Sequence, residues 1–364
     1  MDLPELLGRR LAAQFLSTRS SSAPGAVVER LGAVQAQDPA ASITAVAIRG
    51  DGGTDAAAGR AIDAGHVIRT HILRPTWHLV AADDLRWMMA LTGPRILSGG
   101  EGRFRELGLT PEVRSRARGI FEKLLTEGPA TRDEARIRWA SEGIPTEGQA
   151  TPHLLMDAEL NLLACSGPRR GTEVTYDLVD RRVPRSPLVR EEEADARLAL
   201  RYLAGHGPAT AQDLVWWSGL PLGRVRRALE AGMPALRREP FKEAEVWYVD
   251  GPRPSSGSRF QWLPAYDEYV IAFADRSPIL APEVQGRAIN KNGIFWPVIL
   301  DGGRVAGTWR AAAKKGNWTV TADWFTPPDD EGLAAHKAWE GELNRIRNGA
   351  LGSEPPEAIS SRRP

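Results

Sequence analysis

The tetrapeptide Gly-Pro-Ala-Thr occurs at 128–131 and again at 207–210, each time at the same place in a longer pattern. An amphipathic helix precedes it, and two further helical stretches and a β-rich piece follow. Such a repeat constrains the fold more than any single motif, because each copy has to bury its apolar faces in the same way. In the first copy Val113, Ala117, Ile120, Phe121 and Leu124 share one helical face, and Thr131 stands where it can cap the next helix. A further helix covers 151–163, and EVTYDLV at 173–179 alternates as a strand. In the second copy a helix from Glu191 to Ala204 precedes the turn and Thr210 caps AQDLVWW. Leu222, Val225 and Leu229 then form an apolar helical face, and EVWYVD at 245–250 closes the unit.

Helix, turn, helix and β-wing are the parts of a winged helix, whose third helix usually enters the DNA major groove. The expected class is α+β, with three tandem winged-helix modules at 1–110, 111–188 and 189–263 and a β-rich domain at 264–352. In the first module helices are expected near 3–16 and 26–35, and strands near 43–49 and 76–80. After Trp262, the pieces YVIAF, FWPVILDGGRVAGTW and NWTVTADWF read as strands, and residues 353–364 read as a disordered tail.

With 364 residues, 42% hydrophobic and 26% charged, the chain has the makeup of a globular protein of several domains. One cysteine, Cys165, excludes an internal disulfide, and no basic region with a long apolar core opens the chain, so a cytoplasmic location is expected. No run approaches the roughly 20 apolar residues that span a bilayer. The net charge of +1 hides an uneven distribution. Arg95, Arg103, Arg105, Arg114, Arg116 and Arg118 outnumber Glu101, Glu106 and Glu112, whereas Asp323, Asp329, Asp330, Glu331, Glu340 and Glu342 face mainly Lys337. A neutral total can hide the basic face that phosphate binding needs, and it can equally be a salt-bridged surface.

LGAVQAQDPAAS at 31–42 is the most informative segment. Pro39 disfavours helical geometry at Asp38, so a helix should end here. In an extended exit segment Gln35 and Gln37 fall on one side, where they could hold one water or one base, the alternative being a polar helix terminus. RTHILRPTWHLV at 69–80 brings together Arg69, His71, Arg74, Trp77 and His78. Arginine clamps phosphates and aromatic rings stack on bases, although histidines on strands are more often packed than catalytic. In LPAYDEYVIAF at 263–273, Tyr266, Asp267 and Glu268 could bind or could end a strand. Arg224, Arg226 and Arg227 lie off the apolar face of the third helix in the second repeat, and phosphate contacts are expected from them and from Arg69 and Arg74. The sequence contains no HExxH, no CxxC pair, no P-loop, no GxSxG and no GxGxxG. Metal hydrolysis, phosphoryl transfer and dinucleotide chemistry lose support accordingly, and no cofactor or metal is expected.

Taken in order, VQAQD at 34–38, THILRPTWHLV at 70–80, GPAT with DLVWWSGLP at 207–221, and LPAYDEYVIAF at 263–273 resemble the winged-helix DNA-binding family that includes the AlkZ-type (YcaQ-like) DNA glycosylases. The resemblance spans roughly residues 1–350. It implies tandem winged helices and a β-rich domain arranged as a C around DNA. It implies that the Gln-x-Gln pair, here Gln35 and Gln37, is catalytic; beside it, on chemical grounds, Asp38 is a candidate auxiliary base or cation stabiliser, or a turn cap. The implied activity is hydrolysis of the N-glycosidic bond of cationic alkylpurines in double-stranded DNA by a monofunctional, nucleoid-associated monomer, in repair or self-resistance. A transcriptional regulator without catalysis is the alternative, and a nuclease is disfavoured by the missing acidic metal cluster.

Overall fold

In the computed structural model, residues 1–185, 189–250 and 257–349 are described. The expected tail at 353–364 lies outside them. One element order recurs, helix, short strand, helix, helix, β-hairpin, complete in two units and with a single bridge in place of the short strand in a third. The first unit follows α1 (Leu3–Ala13) and comprises α2 (Pro24–Leu31), β1 (Val34–Gln35), α3 (Pro39–Ala47), α4 (Asp55–Asp63), β2 (Val67–Ile72) and β3 (Arg74–Ala81). A long helix, α5 (Ala82–Glu106), leads to the second: α6 (Pro111–Glu127), β4 (Ala130–Thr131), α7 (Arg132–Ser141), α8 (Ala150–Leu160), β5 (Ala164–Ser166), β6 (Thr175–Leu178) and the short α9 (Val179–Arg182). The third holds α10 (Glu191–His206), α11 (Ala211–Ser218), α12 (Leu222–Ala231), β7 (Leu236–Phe241) and β8 (Ala244–Val249).

The hairpins explain the repetition. In the first two units the short strand lies against the second arm of the hairpin, giving the orders β1-β3-β2 and β4-β6-β5. In the third a single bridge from Ala209 to Trp247 takes that place beside the β7–β8 pair. The two GPAT turns end in full capping boxes. Thr131 exchanges hydrogen bonds with Glu134, and Thr210 with Asp213. Each box satisfies two backbone N–H groups that the first helical turn leaves open.

The last segment holds β9 (Phe260–Leu263), α13 (Glu268–Ile271), α14 (Gln285–Ala288), β10 (Val298–Asp301), β11 (Arg304–Lys314), β12 (Asn317–Trp324) and α15 (Asp330–Asn348). Its sheet runs β12-β11-β10-β9, so β9, which falls inside the bounds expected for the third unit, pairs with the C-terminal strands. Trp262, Trp309 and Trp339 fill the core beneath it, with Trp262 and Trp339 stacked at 6.1 Å.

Two strand expectations give way to helix. Residues 43–49 fall largely in α3, because Asp38 caps the helix and Pro39 supplies its first position, and these outweigh the β-branched run behind them. YVIAF begins within α13, capped by Asp267. The helix expected over 26–35 stops at Leu31, where Gly32 takes φ 74°. A Cβ at that glycine would also meet Arg201 Cγ at 2.9 Å, so the chain leaves the helix where only glycine fits.

Candidate active site

Beyond Gly32 the chain enters β1, and Gln35 pairs across the sheet with His78. The Ala36 N–H donates to the Trp77 carbonyl at 2.7 Å, extending the ladder past the strand. The Gln35 backbone N–H donates to Glu268 Oε1 at 2.7 Å, and Gln35 Oε1 accepts the Gln37 N–H at 3.0 Å. Gln35 is 4% exposed, whereas Gln37 and Asp38 are exposed. The glutamines are thus linked through one side chain and one backbone, and they meet solvent differently. Asp38 Oδ1 accepts the Ala41 N–H at 3.0 Å, which makes it the cap of α3.

Arg69 secures the segment from the other edge. Its Nε and Nη2 donate to the Ala36 carbonyl, between the glutamines, at 3.1 and 3.0 Å. Its guanidinium lies 4.6 Å from the centre of the Trp77 ring. Trp77 in turn packs against His71 at 4.1 Å, and His71 Nδ1 is hydrogen-bonded to Glu159 on α8. The Arg69 N–H donates to Ser166 Oγ of β5 at 2.9 Å, so the second unit buttresses this hairpin through Ser166 and Glu159.

The β2–β3 hairpin carries several buried side-chain atoms without a hydrogen-bond partner. They are Thr70 Oγ1, Arg74 Nε and Nη2, Thr76 Oγ1, Trp77 Nε1 and His78 Nε2. Thr70, His78 and Gln35 are successive partners across the sheet and share one face. His78 Nδ1 donates to the Thr76 carbonyl at 3.0 Å, while burial and the Arg74 charge hold its pKa down at about 3. The imidazole is therefore neutral, and its Nε2 lone pair is free. Beyond the opposite face lies a cavity of about 700 Å³ bordered by His71, Trp77, Met156, Arg95, Arg103 and Arg132.

The remaining expected residues divide. Tyr266 sits half-buried at φ 56° against Phe295, and burial followed by the Asp38 charge raises the pKa of its hydroxyl. Asp267, expected at a binding surface, is instead 2% exposed and accepts both Arg49 nitrogens at 2.7 and 2.8 Å. Its carboxylate is committed to the core. Arg224, expected on phosphate, is held by Asp195 at 2.6 Å and Glu191 at 2.8 Å. Arg226 and Arg227 are exposed on α12 and make no ion pair among the described residues. In the basic stretch, Arg114 and Arg118 close on Asp157 and Arg103 on Glu106.

Glu159 and Ser166, which hold the β2–β3 hairpin, escaped sequence reading. A glutamate on the buried helix α8 is a legible anomaly, since buried acids need a partner. β10 pairs with β11 only from Arg304 to Thr308, so the β11–β12 hairpin runs on as two strands to an exposed Lys314–Lys315 tip. Among the described residues, no group of three or more His, Cys, Asp or Glu is placed to hold a metal ion, and no helix is long and apolar enough to cross a membrane.

The fold is shared with a solved DNA glycosylase, the Streptomyces sahachiroi protein AlkZ, at TM-score 0.78 and 20% identity over 95% of this chain and 98% of that one. An "Interstrand DNA cross-link repair glycosylase" from the same organism is 25% identical over 333 residues, covering 82% of this chain and 85% of its own length. Residues 28–347 match the family described as DNA glycosylase AlkZ-like. The chain belongs to that family.

Proposed function

We propose that the protein hydrolyses the N-glycosidic bond of N7-alkylguanine in duplex DNA, with Gln35 and Gln37 positioning the water. The observation that carries this reading is the fixing of the glutamine segment from both edges, by Glu268 on Gln35 and by Arg69 on Ala36. A catalytic group that orients rather than attacks gains most from such rigidity. N7 alkylation makes the base cationic. When the C1′–N9 bond breaks, the electron pair passes to N9 and neutralises it, so little acid help is needed. Water adds to the oxocarbenium carbon and loses a proton, leaving an abasic sugar and free base. The amides orient that water, and Asp38, whose Oδ1 is occupied by its cap, offers Oδ2 to the developing positive charge. No lysine adjoins the motif, which favours a monofunctional hydrolase over a Schiff-base lyase.

We read the three repeated units as winged helices, although their third helices are not equivalent. Every residue of α8 from Leu154 to Leu160 is buried, so α8 serves as a strut, whereas α12 presents Arg226 and Arg227 outward. Phosphate contacts are assigned to α12 and to the Lys314–Lys315 tip. The adducts proposed are bulky or cross-linked ones. The description of the Streptomyces relative as a cross-link repair glycosylase supports adducts of that kind. Single-turnover release of free base from N7-alkylated duplex, with chelator present, tests the reading. Tight binding with no base released would leave the regulator.

A further inference from the structure

We infer that Glu268 is the positioning residue of the catalytic strand, its ionised carboxylate holding Gln35 in the geometry that base release requires. This rests on the glycosylase reading. Glu268 is 1% exposed and forms no ion pair within 4.0 Å with an arginine or lysine among the described residues. Its contacts are neutral donors: Oε1 takes the Gln35 N–H at 2.7 Å and Oε2 takes the Trp217 Nε1–H at 3.2 Å. A buried acid held only by neutral donors is costly, so its presence calls for a reason other than packing. An amide could not replace it. With its carbonyl on one N–H, its NH2 would face the other, donor against donor. Protonation likewise removes one of the two strong acceptors.

The groups around Glu268 leave it as the one that titrates near neutrality. From α10, His206 approaches to 3.9 Å, but it donates Nε2–H to the Leu31 carbonyl and burial holds its pKa down at about 3. Tyr202, also from α10, is pushed well above the usual phenol range by burial. From β3, Arg74 contributes positive charge, and His78 is held at about 3. Asp267, beside it in sequence, is neutralised by Arg49. Burial pushes the Glu268 carboxyl up to about 7, against the pull of the Gln35 N–H and the Arg74 charge.

The test is single-turnover release of 7-methylguanine from duplex DNA across the neutral range. A one-proton limb gives a rate that rises about tenfold between about pH 6 and about pH 8, while the DNA dissociation constant stays within about twofold. Glu268→Gln flattens the limb and lowers the rate at the alkaline end by about tenfold or more. Trp217→Phe removes one hydrogen bond to the carboxylate and moves the limb to higher pH, which keeps the inference testable if Glu268→Gln folds poorly. An activity-independent reading comes from selective ¹⁵N-glutamine labelling, where the Gln35 amide resonance titrates near neutrality in the parent and not in Glu268→Gln. A parental profile without the limb, or an unchanged one in Glu268→Gln, overturns the inference. Absence of base release by the parent overturns the glycosylase reading instead, and the Gln35 resonance then still decides the role of Glu268.

Discussion

Arg69 and Ala36 are joined by a forked hydrogen bond in which Nε and Nη2 of the guanidinium converge on one carbonyl at 3.1 and 3.0 Å. That carbonyl lies between the two glutamines, so the arginine braces the segment proposed to orient water. A brace and a phosphate contact predict different losses. As a brace, Arg69→Lys keeps the charge, loses the fork, and slows base release by roughly tenfold or more with the salt slope of DNA binding unchanged. As a phosphate contact, Arg69→Ala would lower that slope by about one. Single-turnover rates and binding across a salt series on the same variants separate the two.

The glutamines should not respond alike. Gln35 is buried and its side chain caps the Gln37 N–H, while Gln37 is exposed. Both Gln35→Ala and Gln37→Ala are expected to slow release on the order of 10²-fold with binding largely kept. Only Gln35→Ala should also lower the melting temperature, because it frees a backbone donor next to the core. Asp38→Asn keeps the cap oxygen, so a large loss of rate there would move the catalytic burden to the carboxylate.

The arginines of α12 make a sharper pair of expectations than their shared sequence suggests. Reversing Arg226 and Arg227 to glutamate should weaken binding to every duplex and lower the salt slope by about two. Arg224→Ala should leave the slope alone and cost at most about 1 kcal/mol in stability, since its partners Asp195 and Glu191 form a partly exposed cluster. Affinity unaltered by the double reversal would take α12 out of the DNA face.

What the sequence revealed follows from the reach of local signals. The GPAT turns announced Thr131 and Thr210 as helix caps, and the structure adds the reciprocal bonds from Glu134 and Asp213, three residues on, that complete the boxes. The extended exit at Gln35 was legible from Pro39 for the same reason. The partners of that segment were not. Glu268 lies 233 residues from Gln35, and Glu159 lies 88 from His71. Nothing local marks either contact. The error over 43–49 shows the reverse limit, because α3 is buried on nearly all sides and offers no polar stripe to reveal a helical period.

Asp267 gives the clearest case of a residue whose sequence context and burial disagree, and its substitution decides between binding and packing. Its carboxylate faces both Nη atoms of Arg49, a side chain with no exposure, which is further held by the Ala45 carbonyl and Gln14 Oε1. The link joins α1, the end of α3 and the cap of α13, so it fixes the C-terminal segment against the first unit. Asp267→Asn keeps the shape and removes the charge, leaving a buried guanidinium uncompensated. Breaking a buried pair in this way costs about 3–5 kcal/mol, a large share of a domain's stability. The pair Arg49→Met with Asp267→Leu should recover much of the loss, because no charge is then stranded. A carboxylate at the DNA surface would behave otherwise, with Asp267→Asn strengthening affinity by relieving repulsion and leaving unfolding unaffected. Denaturant melts of the single and double variants, alongside dissociation constants for undamaged duplex, distinguish these outcomes.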